Sequence, residues 1–233
     1  MGALWYADLG LIGYADCLSL QRKLVDLRTA GHVEDTLLLL EHTPVITLGT
    51  AGGEDGLLVK PEDAERAGVE IFGTDRGGNI TYHGPGQLVG YPIFDLRSHG
   101  KDVHLFLRKL EQVIVDCLAD FGVKAETMPG YTGVWVGDEK ICSIGIAVRR
   151  WISYHGFALN VSPNFEHWSL IRPCGLVDRR VTSLERLIGH HVDMCAVKSS
   201  VVAKFEKVFG AEPVQVDPSI WDSKPQTVVE EAG

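Results

Sequence analysis

Three stretches of this 233-residue chain concentrate side chains that do chemistry. The first is Arg76-Gly77-Gly78-Asn79-Ile80-Thr81-Tyr82-His83-Gly84-Pro85-Gly86-Gln87. Its glycines let a backbone approach a ligand and present N–H groups to it. Its Arg, Asn, Thr, Tyr and His form a dense set of directional hydrogen-bonding groups. The run is longer than a hairpin needs. A plain surface turn stays open as the alternative, since Gly-Gly and Gly-Pro pairs mark turns. It lacks the Gly-Lys-Ser/Thr of a phosphate loop, and Gly84-Pro85-Gly86 does not complete a GxGxxG.

The second stretch runs from Asp138 to Ala147. As a strand it places Lys140, Cys142 and Ile144 on one face. By residue type alone Lys140 reads as an exposed strand end. The third is Ser169-Leu170-Ile171-Arg172-Pro173-Cys174-Gly175-Leu176. The five cysteines are odd in number and scattered, which suits reduced thiols in a cytosolic protein rather than a disulfide framework. Cys17 and Cys117 fall on apolar helix faces, as small buried hydrophobes do. Cys174 lies between Pro and Gly in a polar loop, where a thiol is accessible and rigidly presented. Thiolate chemistry there needs exposure and a nearby positive charge.

The elements that must position these residues follow from periodicity and punctuation. Strands are expected at 3–9, 36–41, 45–48, 69–72 and 88–94. A helix is expected from Tyr14 to Thr29, and a short one from Pro61 to Gly68. Asp102 caps a long amphipathic helix that stops at Gly122. Residues 49–59, 73–86 and 162–180 read as loops. From Val123 to Val161 strands succeed one another, with Gly137-Asp138 turning a hairpin between Gly133–Val136 and Lys140–Val148. Helices near Ser183–Ile188 and Asp193–Phe209 follow. The order predicts an α+β single domain over 1–212, with a mixed, mostly antiparallel sheet flanked by helices. Residues 213–233 are expected to form a partly disordered tail.

A formal charge of −9 argues against general nucleic-acid binding. Local basic clusters persist at Arg22-Lys23, Arg149-Arg150 and Arg179-Arg180, either as solvated charge or as a docking patch for an acidic partner. No stretch approaches the roughly 18 apolar residues of a membrane span, and no signal peptide is visible. No metal is expected, because His190-His191 with Cys195 has no ligand spacing. A cytoplasmic monomer is the default.

Arg76–Gln87, Lys140–Gly145, Gly156-Phe157-Ala158-Leu159-Asn160 and Pro173–Leu176 resemble, in that order, the lipoyl(octanoyl) transferases. The resemblance covers roughly residues 5–210. It implies the catalytic fold of the biotin and lipoate protein ligases. It implies transfer of an octanoyl group from octanoyl-acyl carrier protein to a lysine of the lipoyl domains of 2-oxoacid dehydrogenase E2 subunits and of the glycine cleavage H protein, without a cofactor. Residue by residue, Cys174 matches the thioester-forming nucleophile and Lys140 the lysine that lowers its pKa. Arg76, Gly77, Gly78, Asn79, Ile80, Thr81, Tyr82 and His83 match a substrate-binding loop, as do Ser143, Ile144 and Gly145, and Gly156, Phe157 and Ala158. Cys142 stands where a small residue such as Ala is expected from the family, and strand alternation puts it on the Lys140 face, so a second thiol is expected close to the acyl group.

The chemistry suits these residue types. A cysteine nucleophile splits the transfer into two easier steps. An unperturbed thiol, pKa near about 8.5, is only a few per cent ionised at neutral pH. A lysine ammonium at about 4 Å favours the thiolate by roughly 4 kcal/mol at an effective dielectric of about 20, less desolvation. His83 is expected either to hydrogen-bond within the site or to orient Lys140. Ile144, Ile146 and Phe157 are expected to line an apolar slot. Two other chemistries compete: an ATP-dependent lipoate or biotin ligase, which would not need Cys174, and a Cys–His hydrolase using His83 or His155. A non-catalytic acyl-binding module is a third reading.

Overall fold

The computed structural model describes residues 2–52, 54–172 and 180–221. The fold is α+β. An eight-stranded mixed sheet is built from β1 (Ala3–Ile12), β2 (Asp35–His42), β6 (Gln87–Ile93), β7 (Glu126–Met128), β8 (Tyr131–Val136), β9 (Glu139–Arg149), β10 (Ile152–Asn160) and β11 (Glu212–Gln215), in the order β11-β1-β2-β6-β10-β9-β8-β7. Within this sheet only the β11·β1 and β1·β2 pairs are parallel. A small second sheet holds β3 (Val45–Leu48) between β4 (Glu70–Gly73) and β5 (Ile80–His83).

The leucine run of β2 shows how the large sheet is covered on both sides. Leu37 and Leu39 join one apolar cluster and Leu38 and Leu40 another, as the period-2 alternation of a strand requires. The first cluster is closed by α3 (Val103–Asp120) and α6 (Met194–Phe209), through residues such as Phe106, Ile114, Val201 and Phe205. The second is closed by α1 (Tyr14–Thr29), through Cys17, Leu24 and Val25. A strand buried on both faces reads as a continuous apolar run, which is what β2 is. Asp102 caps α3 by accepting the N–H groups of His104 and Leu105 at 2.8 and 3.1 Å. Short helices α2 (Pro61–Arg66), α4 (Phe165–Trp168) and α5 (Leu184–Ile188) complete the set. Among the described residues no helix is long and apolar enough to cross a membrane.

Three expectations are corrected. Residues 73–86 are not all loop, because Ile80–His83 form β5, antiparallel to β3 with Val45 opposite His83. The β-prone triplet Ile80-Thr81-Tyr82 wins over the surrounding glycines once β3 is there to pair with. Residues 162–180 likewise contain α4, capped by the Asn164 side chain. Finally, the packed chain does not end at 212. β11 adds to the edge of β1, and Trp221, 2% exposed, is buried in the cluster beneath α1. Residues 222–233 lie outside the described residues. Trp221→Ala should therefore cost roughly 3–5 kcal/mol, since a fully buried aromatic is removed. A urea unfolding midpoint equal to that of the parent chain would show that Trp221 is not part of the core.

Candidate functional site

A cavity of about 380 Å³ opens where the small sheet meets β9 and β10 of the large one. Arg76, Gly77, Gly78, Asn79, Thr81, His83, Lys140, Ser143, Ile144, Gly145, Gly156, Phe157 and Ala158 all line it. Strand alternation divides β5: Thr81 and His83 face the cavity, whereas Ile80 and Tyr82 are fully buried in the small apolar cluster with Trp168 and Ile171. Ile80 and Tyr82 are therefore not wall residues, and the Tyr82 hydroxyl pairs with His167 Nδ1 at 2.9 Å. Ile146 is also absent from the wall and packs on the α3 side of the sheet. Cys174 lies outside the described residues.

The loop 76–79 is held from two directions. The N–H groups of Gly49, Thr50 and Ala51 donate to the carbonyls of Asn79, Arg76 and Gly78 at 3.2, 3.0 and 3.0 Å. On its other side Gly77 N–H donates to the Ile146 carbonyl of β9 at 2.9 Å. The Arg76 guanidinium is buried and donates to the hydroxyl and carbonyl of Thr47, both at 2.8 Å from Nη2. A charge so placed is tolerated because its donors are occupied. It acts on its neighbours, helping to hold His83 and His155 neutral.

Lys140 is 6% exposed and its position is over-determined. Its N–H donates to the Arg180 carbonyl at 2.9 Å, and its carbonyl accepts from Thr182 N–H at 3.0 Å. Its ammonium sits 5.1 Å from the Trp135 ring centroid, in cation–π range. Gly133 presses on the chain: a Cβ there would meet Lys140 Cε at 2.8 Å. Gly133 has φ +125°, a conformation glycine allows, and its N–H is received by the fully buried Glu111 carboxylate at 3.0 Å.

Cys142 does not share the cavity with Lys140. Trp135 pairs with Lys140 but Val134 pairs with Cys142, so Ile141 is an extra residue in β9. This bulge breaks the alternation that would have put Lys140 and Cys142 on one face. Cys142 is fully buried in the α3-side cluster with Cys117. Burial pushes its thiol well above the ordinary range, and burial likewise raises Cys17 to about 12 and Cys117 to about 11.

Residues that sequence reasoning passed over complete the wall: Tyr14 of α1, Tyr91 of β6, Gly130, Tyr131 and Thr132 at the start of β8, and Ala51. Tyr14 and Tyr91 look like ordinary core aromatics in the sequence, and nothing in their spacing marks them. His155, weighed only as a hydrolase partner, also lines the cavity. It has φ +56°, donates from Nε2 to Asp75 at 2.9 Å, and leaves Nδ1 sealed without a partner. Beneath the wall, His42 Nδ1 meets the Ile12 carbonyl at 2.9 Å and Nε2 meets the Tyr91 hydroxyl at 2.8 Å. Burial lowers its pKa to about 4. Among the described residues no group of three or more His, Cys, Asp or Glu is arranged to hold a metal ion.

Residues 13–206 match the family model described as the lipoyl protein ligase A/B catalytic domain. An octanoyltransferase of Caldicellulosiruptor saccharolyticus is 53% identical over 206 residues, covering 88% of this chain and 88% of that one. An octanoyltransferase of Desulforamulus reducens is 46% identical over 215 residues, covering 92% and 94%. Among solved structures, a bi-partite lipoate protein ligase from Thermoplasma acidophilum has the same fold, with a TM-score of 0.69 at 16% identity over 96% of this chain and 94% of that one.

Two outcomes follow from the burial. In the native protein Cys17, Cys117 and Cys142 should resist alkylation near about pH 7.5 while the exposed Cys195 reacts. Peptide mapping that finds Cys142 modified as fast as Cys195 would contradict its burial. Separately, the unfolded chain binds a proton at His42 near about pH 6.5 and the folded chain only near pH 4. The stability this group contributes is full above about pH 6.5 and falls as pH drops toward 4, by roughly 3 kcal/mol. A urea midpoint that stays flat across that window would contradict it.

Proposed function

The chain belongs to the lipoyl protein ligase A/B catalytic domain family, and we propose that it transfers an octanoyl group from octanoyl-acyl carrier protein to the lysine amine of lipoyl domains through a thioester on Cys174. The observation that carries this reading is the convergence on one cavity of Lys140 with the 76–79 loop, Ser143–Gly145 and Gly156–Ala158. In the first step the Cys174 thiolate attacks the donor thioester. The acyl carbon–sulfur bond to the carrier breaks, and the departing thiolate takes a proton from the Lys140 ammonium. In the second step the neutral substrate amine attacks the acyl-enzyme. The nitrogen–carbon bond forms, the bond to Cys174 breaks, and the surplus amine proton returns through Lys140. Thioester exchange is nearly isoenergetic and amide formation runs downhill, so the reaction needs no ATP and no cofactor.

Three features support Cys174 as the nucleophile. Arg172 N–H donates to the Gly56 carbonyl at 2.7 Å, and the Arg180 carbonyl accepts from Lys140 N–H at 2.9 Å. Both ends of the segment carrying Cys174 are thus tied down, the later one to the backbone of Lys140 itself. The competing thiol, Cys142, is sealed and held protonated. Ile144, Phe157 and Ala158 supply apolar wall for the chain, at about 0.8 kcal/mol per buried methylene. The acidic carrier protein docks, in this reading, on the Arg149–Arg150 end of β9. The enzyme works as a cytoplasmic monomer on the lipoyl domains of 2-oxoacid dehydrogenase E2 subunits and of the glycine cleavage H protein.

Intact mass after incubation with octanoyl carrier protein tests the chemistry. Wild type and Cys142→Ala should gain one octanoyl group, and Cys174→Ala should gain none. An adduct that survives Cys174→Ala but not Cys142→Ala would overturn the choice of nucleophile. Lys140→Ala should lower transfer by at least about 100-fold, the lower end of general acid–base contributions, with an unchanged circular dichroism spectrum. Normal rates in that variant would remove Lys140 from the mechanism. Reversing the charge of Arg149 and Arg150 should slow transfer from carrier protein in low salt while sparing a small octanoyl thioester. Equal slowing of both donors would remove the docking assignment.

A further inference from the structure

A buried line of side chains runs from the segment whose backbone pairs with Lys140 to His83, and its hydrogen-bond polarity is fixed by backbone carbonyls. Asn160 Nδ2 donates to the Thr182 carbonyl at 3.0 Å. A carbonyl cannot donate, so the Asn160 amide is oriented with Oδ1 as acceptor at its other end. Gln87 Nε2 donates to that Oδ1 at 2.9 Å and to the Tyr82 carbonyl at 3.2 Å. Both Gln87 N–H groups are then used, and Oε1 faces His83 Nδ1 at 2.7 Å. Oε1 only accepts, so Nδ1 must carry the ring proton. In the neutral ring Nε2 is then a lone pair and nothing else.

That lone pair opens to the cavity. His83 lines the wall and its Nδ1 edge is taken up by Gln87. Among the described residues Nε2 has no hydrogen-bond partner. The surroundings keep the ring neutral. Burial is the largest cause of its lowered pKa, and the charge of Arg76 acts in the same direction. Tyr14 stacks on the ring at 6.2 Å, His42 meets it edge-on at 5.8 Å, and His155 completes the titratable groups acting on it.

We infer that His83 Nε2 is a fixed acceptor that receives one N–H of the incoming lysine amine and so aims the nitrogen lone pair at the acyl carbon. This role rests on the octanoyl-transfer reading above. Of the groups that reaction brings together, the alkyl chain has no polar atom and the thioester oxygen only accepts. A lone pair repels an oxyanion, so His83 cannot belong to an oxyanion hole. Among the reacting atoms of the two substrates, the amine is the group with N–H to give. A neutral amine has two such protons. One leaves as the nitrogen–carbon bond forms and the carbon–sulfur bond breaks with its electron pair on the Cys174 sulfur, and Lys140 takes it up, which restores the thiolate and the ammonium. The other stays in the amide product, and it is this one that His83 holds. The ring therefore takes up no proton, which is the behaviour its low basicity allows.

The test has two arms. Long-range proton–nitrogen spectra of the ¹⁵N-labelled full chain should show His83 as the Nδ1–H form, unchanged between about pH 6 and pH 8. An Nε2–H pattern, or a ring that titrates in that range, would overturn the inference. Half-reaction rates are the second arm. His83→Phe keeps a ring against Tyr14 and should slow transfer from isolated octanoyl-enzyme to a lipoyl domain by roughly 10- to 100-fold, the range for loss of one well-placed hydrogen bond. Formation of the octanoyl-enzyme should change by less than about 3-fold, which is about 0.65 kcal/mol. Equal slowing of both halves would reduce His83 to a structural role. Gln87→Glu sets a carboxylate against Nδ1–H and favours the imidazolium, which has no lone pair. The ratio of its aminolysis rate to that of wild type should fall as pH is lowered, and a constant ratio would overturn the inference. Absence of any acyl-enzyme in wild type would defeat the octanoyl-transfer reading itself, with this role, while leaving the ring spectrum as measured.

Discussion

The cavity depends on one close approach: the loop 76–79 lies directly on the backbone of β9 and not on its side chains. Gly77 donates to the Ile146 carbonyl, and a Cβ on Gly145 would come within 2.6 Å of the Gly77 carbonyl. Gly145 pairs across the sheet with Gly156, and a Cβ on Gly156 would fall 2.1 Å from the Gly90 carbonyl. β9 and β10 thus carry no side chain at this level, and Gly90 of β6 lies one residue along, opposite Phe157. The loop can descend there and the floor is backbone. A methyl on Gly145 would collide with the loop at the Gly77 carbonyl, and one on Gly156 with the β6 backbone at Gly90.

Above that floor the polar groups are few, buried and fixed in direction. Backbone carbonyls, which can only accept, set the orientation of Asn160 and Gln87 and hence the proton on His83. The same logic sets His42, whose Nδ1 must donate to the Ile12 carbonyl and whose Nε2 then accepts from Tyr91. Arg76 is the cation beside the histidines, and its guanidinium is spread over Thr47 rather than over them. Neutral histidines beside a buried cation stay neutral, because burial and charge push the same way. The result is a set of dipoles that need not reorganise when charge develops nearby, which is the condition under which such groups contribute most to rate.

Much of this arrangement is legible in the amino-acid order. The alternating leucines of β2, the Asp102 cap and the Gly137-Asp138 turn are local signals, and the elements lie where those signals put them. The Arg76–Gln87 run stands out because its residue types exceed what a turn needs. What is not legible depends on partners distant in sequence. Ile80–His83 become a strand only because β3 is available, and that pairing turns Ile80 and Tyr82 away from the cavity. Tyr14 and Tyr91 enter the wall through packing that no spacing announces. Gly133 matters because Lys140 lies against it, and the extended pattern around Gly133 gives no hint of that contact.

The bulge at Ile141 is the least predictable of these features and the one with most consequence for the chemistry. In a regular strand Lys140 and Cys142 would point the same way, and the ammonium would draw the nearer thiol toward thiolate. With the extra residue, Lys140 reaches the cavity while Cys142 turns into the core beside Cys117. There, burial outweighs the attraction of Lys140 and the thiol stays protonated. One inserted residue thus lets two side chains only two positions apart meet opposite environments. It leaves Lys140 without a thiol beside it on its own strand. The backbone pairing of Lys140 with Arg180 and Thr182 brings the chain that follows the Pro-Cys-Gly sequence to that lysine.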